Sequence, residues 1–360
     1  MTAPTRRPAF ERLPLLLFGF VALVAGTGAG LARLAWPMPA AVAQAAPWHG
    51  PLMICGFFGV VIALERAVAL GRTWAYAAPL LAAVGSALTL HGGSAWAPAA
   101  YLAAGIVLWL ATLAVLQRQR ESFVVLLALA AGCWPLGTAL WAQGAPLPEV
   151  LPWWLGFLVL TIAGERLELS RFMPPSSAAL RVFGIVAAAL LLALAGTLFA
   201  PQPATQGFGL GLLALALWLA RCDIARRTVR QTRLTRYIAL CLLSGYVWLG
   251  LGGSIIALAG LQPGQPSYDA ALHALLLGFV FSMVFGHAPI VFPAVLRVAL
   301  PYHAVFYAPL VLLHASLALR LSGAAAGSFA LLRWGALGSA LALAAFIAVM
   351  AGAVLRSRRR

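Results

Sequence analysis

Lysine is absent from this chain. All 24 basic residues are arginine, set against only 8 acidic residues, for a formal net charge of +16. Charged side chains occupy 9% of the 360 positions and hydrophobic ones 63%, a balance no soluble globular domain has. The longest polar stretch runs only from Arg221 to Arg236, which excludes a second, soluble domain. The positive charge does not point to nucleic acid, because the arginines sit in short loops between apolar runs. Cysteine is scarce: Cys55, Cys133, Cys222 and Cys241 show no CxxC spacing, and Cys55 and Cys133 fall inside apolar runs. A disulfide framework is therefore not expected, and these are read as small core residues. No CxxCH is present, so any haem would be held non-covalently. No acidic residue lies in the middle of an apolar run.

What the chain does have is mean hydropathy of +0.96 and apolar runs of bilayer length. They predict an all-α polytopic membrane protein forming a single transmembrane domain over residues 1–360. Twelve spans are expected, at 13–35, 48–70, 74–92, 97–117, 122–142, 151–170, 179–200, 205–222, 236–261, 268–297, 302–321 and 330–355. The first run follows Arg6 and Arg7 as a signal peptide would, but it is long enough to cross a bilayer and is read as a retained helix. Pro289 and Pro293 predict a kink in span ten. Of the 24 arginines, 21 fall on one side of this topology; Arg33, Arg320 and Arg333 fall on the other. The positive-inside rule then places both termini in the cytoplasm, and the membrane is expected to be the cytoplasmic (inner) one. Trp36, Trp48, Trp96, Trp141, Trp153 and Trp154 flank the opposite loops as an aromatic belt. The six arginines from Arg221 to Arg236 suit anchorage beside anionic headgroups.

A sequence repeat recurs every four spans. Span two has Gly56-Phe57, four residues, then Ile62-Ala63-Leu64-Glu65-Arg66; span six has Gly156-Phe157, four residues, then Ile162-Ala163-Gly164-Glu165-Arg166. Span ten repeats Gly278-Phe279, with His287 where the others carry glutamate. This period predicts three four-span units (13–117, 122–222 and 236–355) in a pseudo-three-fold arrangement, with spans two, six and ten lining the interior. Gly56 and Gly278 would admit a neighbouring helix or a flat ligand.

An ionisable side chain in a membrane is a functional candidate by default. His49 opens span two and His273 stands about a turn and a half into span ten, both toward the arginine-poor side. Two imidazoles at similar depth could grip a haem iron from both faces; the bland alternatives are an interfacial histidine and a hydrogen bond to a carbonyl. His287, 14 residues beyond His273, is too far along the helix to share that iron. With Glu65 and Glu165 it could form a second polar or metal site, or the Glu65-Arg66 and Glu165-Arg166 neighbours could simply be interfacial ion pairs. His314, in span eleven, could line a cavity or bind a second haem, whereas His303 and His91 read as interfacial or loop residues. Glu149 and Asp269 suit the starts of spans six and ten, where acids favour the helix dipole, and either could also hold His49 or His273 by a ring nitrogen. Arg33, Arg320 and Arg333 could pair with haem propionates or snorkel to headgroups.

Twelve spans in three units of four, together with His49-Gly50-Pro51-Leu52-Met53 and His273 followed by Leu277-Gly278-Phe279-Val280, Met283, Phe285-Gly286 and Pro293, resemble the catalytic subunit of the heme-copper oxidases (subunit I). The local resemblance covers spans two and ten. It implies that His49 and His273 are the axial ligands of a low-spin haem b. The chain departs from that family where Ala271 replaces the high-spin haem ligand and where spans six and seven have no histidine for copper. Oxygen reduction and copper are therefore not expected, and the remnant is similar to the NnrS group of membrane proteins. The resemblance implies electron transfer or a redox or nitric oxide response, with membrane lipid and quinone or respiratory-chain components as partners. A twelve-span secondary transporter and a cofactor-free assembly factor for a respiratory complex are the alternatives.

Overall fold

The computed structural model describes residues 12–92 and 95–357. Arg6, Arg7 and Arg358 to Arg360, counted in the orientation reading, lie outside the described residues. Among the described residues twelve helices are long and apolar enough to cross a membrane: Leu13–Ala32, Ala46–Leu70, Thr73–Leu90, Trp96–Arg118, Ser122–Ala142, Leu147–Leu169, Ser177–Gly196, Pro201–Cys222, Arg233–Ala259, Pro266–Val295, Ala304–Ala325 and Phe329–Arg356. No strand occurs among the described residues. The protein is an all-α polytopic membrane protein. Helices follow from the solvent: hydrocarbon offers no partner to a backbone N–H or C=O, so each apolar run satisfies its own. Local signals set the ends. Gly71 stops span two in the left-handed region at φ +66°. Ser176 caps span seven by accepting the Ala179 N–H, and prolines open spans eight and ten.

The chain packs as two compact units, Met1–Gly164 with Val295–Arg297, and Glu165–Ala294 with Val298–Arg360. The boundary falls inside span six, whereas the sequence repeat marks stretches of four spans. In the first unit, Trp134 stacks on Phe157 at 5.4 Å and its indole N–H reaches Cys55 Sγ. Trp154 donates to Thr138 Oγ1, and Tyr101 to Ser86 Oγ. The buried Arg12 donates from Nη1 to the Val295 carbonyl at 3.1 Å. That carbonyl lies at a helix end, where the intrahelical donor runs out.

In the second unit, spans eight and nine meet backbone to backbone. A Cβ added to Gly209 would lie 2.7 Å from the Gly253 carbonyl oxygen, the close approach that small residues allow in membranes. Spans eleven and twelve do the same at Gly335, where a Cβ would meet the Arg320 backbone, and they share a Ser316–Ser339 hydrogen bond.

Spans two, six and ten are buried over 67%, 83% and 67% of their most apolar stretch, and among the other spans only span five, at 67%, matches them. Trp153 and Trp154 depart from the belt expected of them. Both are buried, because they pack toward Gly137 of span five rather than toward headgroups. Span ten stays helical through Pro289 and Pro293; its departure from α geometry comes earlier, next to His273.

Candidate functional site

His49 is held inside the first unit by span one. Its Nδ1 lies 2.7 Å from the Gly26 carbonyl oxygen. A carbonyl only accepts, so Nδ1 carries the proton and the neutral ring's lone pair sits on Nε2. Gly30, one turn on, makes room for the ring: a Cβ there would lie 2.8 Å from Nδ1 and Cε1. Gly26 and Gly30 thus form a small-residue seat for the imidazole on the facing helix. Trp48, next in the chain, packs on Trp141, which in turn meets Trp154 edge-on at 5.8 Å.

His273 is set the same way in the second unit, with more support. Its Nδ1 is 2.8 Å from the Asp269 carbonyl oxygen and 3.3 Å from the Asp269 carboxylate. That carboxylate is gripped by Arg320 of span eleven through two bonds, Nε to Oδ2 at 2.9 Å and Nη2 to Oδ1 at 2.7 Å. Arg320 is buried and committed to Asp269, so it does not snorkel to the surface. A carboxylate behind an imidazole N–H fixes the tautomer and makes the other nitrogen a better donor to a metal.

Each of these histidines is followed by a widened π-helical segment, Leu52–Phe58 after His49 and Ala274–Phe281 after His273. Such turns are rare and concentrate at functional sites, because the extra residue per turn re-aims the side chains around it. Both contain the Gly-Phe pair of the repeat, whereas Gly156-Phe157 lies in a regular α-helix. At both glycines the space a Cβ would occupy is filled by protein: Ser86 and Ala22 approach Gly56, and Trp248 and Leu317 approach Gly278. They let side chains of their own unit pack close.

The family described as a domain of unknown function (DUF8744) matches residues 12–355. The chain belongs to that family. Neither a curated protein nor a solved structure matches it. Within this DUF8744 chain the match takes in all six histidines and both aspartates.

The other predicted polar residues fall elsewhere. His287 donates from Nδ1 to the Met283 carbonyl, and its Nε2 faces the Arg166 guanidinium at 3.4 Å. Arg166 has its neighbour Glu165 as an electrostatic partner. It holds Asp223 through Nε–Oδ2 at 2.8 Å and Nη2–Oδ1 at 3.2 Å, with both side chains almost fully buried. The Tyr246 hydroxyl is buried beside this pair. Glu65 lies in the first unit, exposed and beside Arg66; Glu165, half-buried, lies in the second. Among the described residues no three His, Cys, Asp or Glu side chains gather closely enough to hold a metal ion. His314 uses both ring nitrogens: Nδ1 accepts from Trp248 at 2.9 Å, and Nε2 donates to Ser244 at 2.9 Å. His303 caps a short turn by accepting the Val305 N–H, and His91 is an exposed helix end.

Sequence reading missed Gly26 and Gly30, the commitment of Arg320 to Asp269, and Asp223 altogether. The Gly-x-x-x-Gly spacing of the first two is visible in the chain. So is the fact that it has only two aspartates, both of which take an arginine.

Proposed function

We propose that this chain is a haem b-binding integral membrane protein in which His49 and His273 donate imidazole nitrogen to haem iron. The observation that carries this reading is the shared preparation of the two rings. Each gives its Nδ1 proton to a backbone carbonyl and so keeps its lone pair on Nε2, and each precedes a π-helical turn. The donor set fits haem b, which needs neutral imidazoles and no thioether-forming cysteines. A bound haem would supply one-electron chemistry. The protein's part would be to orient the rings, through Gly26 and Gly30 for His49 and through Asp269 and Arg320 for His273.

The function is electron transfer, or a redox or nitric oxide response, without oxygen reduction. Ala271 and the histidine-free spans six and seven leave no ligands for the oxidase centre. Quinone or respiratory-chain components are the electron partners in this reading, and the arginine bias supports cytoplasmic termini. The test is an optical spectrum of the protein purified from a haem-replete host. A Soret and α-band change on reduction is expected, lost in His49→Ala and in His273→Ala. A folded but colourless protein, or a wild-type spectrum in both variants, sinks the idea.

One observation favours a second reading as a secondary transporter. The Arg166–Asp223 and Arg320–Asp269 pairs are largely enclosed charges at the ends of spans, and such charge pairs can mark ion pathways. Uptake into vesicles that survives His49→Ala and His273→Ala would favour it.

A further inference from the structure

A cavity of about 680 Å³ opens in the second unit between the loop after span six and the connector after span eight. Arg221, Arg226, Arg227 and Arg230 line it, with Ser176 and Ala179 on the opposite wall. Asp223 is the single carboxylate in the lining, and it is already committed. Its two oxygens take Arg166, and Oδ1 also accepts the Ala225 N–H at 2.7 Å. None of the four lining arginines forms an ion pair among the described residues. Arg226 donates to the Arg221 carbonyl, and Arg227 approaches Met173 Sδ. Four like charges around one concavity repel each other unless an anion joins them.

The walls are fixed without a ligand. The buried Arg166–Asp223 pair pins the connector, and Pro174 and Pro175 stiffen the facing loop. Ser176 and Ala179 belong to the first turn of the helix Ser177–Gly196, whose positive dipole end adds to the field. Guanidinium groups bind phosphate oxygens through paired N–H donors, and phosphate offers several acceptors and up to two charges in one compact group. The volume lies within the range of small-molecule sites. We infer that this cavity is a binding site for a phosphate-bearing anion. Its source is either the headgroup of an anionic lipid or a soluble phosphate compound. Neither the haem reading nor the arginine bias of the loops requires such a site, since topology needs only surface charge.

The experiment compares wild type with Arg221→Gln/Arg230→Gln and with Arg118→Gln/Arg120→Gln, which removes two arginines of the span-four end, outside the cavity. All three are titrated with inorganic pyrophosphate in phosphatidylcholine nanodiscs at fixed ionic strength. In parallel, they are titrated with phosphatidylglycerol in detergent, and bound lipid is read by native mass spectrometry. The cavity variant should bind at least one probe about tenfold or more weakly, as loss of charged hydrogen bonds implies. The control pair should bind as wild type does, with Tm unchanged in both variants. Binding of pyrophosphate in neutral discs assigns a soluble ligand, and binding of phosphatidylglycerol alone assigns a lipid headgroup. The proposal is overturned if wild type binds neither probe above chloride, or if the control pair loses as much affinity as the cavity pair.

Discussion

The two ends of span ten carry the same three residue types arranged in opposite senses. Toward its N-terminus stand His273, Asp269 and Arg320; toward its C-terminus stand His287, Asp223 and Arg166. Both histidines give the Nδ1 proton to the carbonyl four residues earlier, and both aspartates are gripped by an arginine through two bonds. They differ in which member faces the ring. At His273 it is the carboxylate, behind the protonated nitrogen, which strengthens Nε2 as a donor. At His287 it is the guanidinium, in front of Nε2, where it uses the lone pair and repels any cation. At one end a carboxylate backs the ring; at the other a guanidinium ties span ten to span six and to the connector after span eight.

The sharpest way to break this comparison is to remove the two carboxylates. Asp223→Ala strands a buried guanidinium and should cost about 3–5 kcal/mol in thermal or denaturant unfolding. Asp269→Ala should cost less, about 1.5–3 kcal/mol, because the Asp269 side chain is 29% exposed against 2% for Asp223. Equal losses would mean that the ends do not differ in the way drawn here. The histidines sharpen the same contrast. His273→Ala should abolish the haem spectrum, whereas His287→Ala should leave it intact and lower stability by about 1 kcal/mol; a spectrum lost in both would erase the distinction. Gly30→Ala extends the comparison to His49. Its Cβ would collide with the ring, so a loss of about 1–3 kcal/mol together with the haem signal is expected. Gly50→Ala, with nothing within 4 Å, should change stability by less than about 0.5 kcal/mol. The smallest effect is expected at the exposed Glu168–Arg171 pair, where Glu168→Ala should shift stability by about 0–1 kcal/mol.

Much of the fold was legible because the bilayer leaves the backbone so few options. The expected run at 122–142 is the helix Ser122–Ala142, and the other spans differ from expectation by a few residues at their ends. The Gly-Phe repeat pointed to the burial of spans two, six and ten, but span five, which lacks it, is buried as much as two of them. The site was legible only in part. His49 and His273 stood out as ionisable groups in apolar runs, but nothing in the local sequence marks a π-helical turn, since Gly-Phe also occurs in the regular helix of span six. The Trp153–Trp154 pair looked like an interfacial anchor, because amphipathic aromatics suit headgroups and cores equally well.

Composition and the spacing of apolar runs determined on their own that this is a twelve-helix membrane protein, because backbone hydrogen bonding inside hydrocarbon is a local requirement that each run meets by itself. Partner choice was decided only in three dimensions. Asp223 is 57 residues from Arg166, and Asp269 is 51 from Arg320. Ion pairs and ring tautomers depend on which helices come to lie side by side, and no window of the sequence contains that.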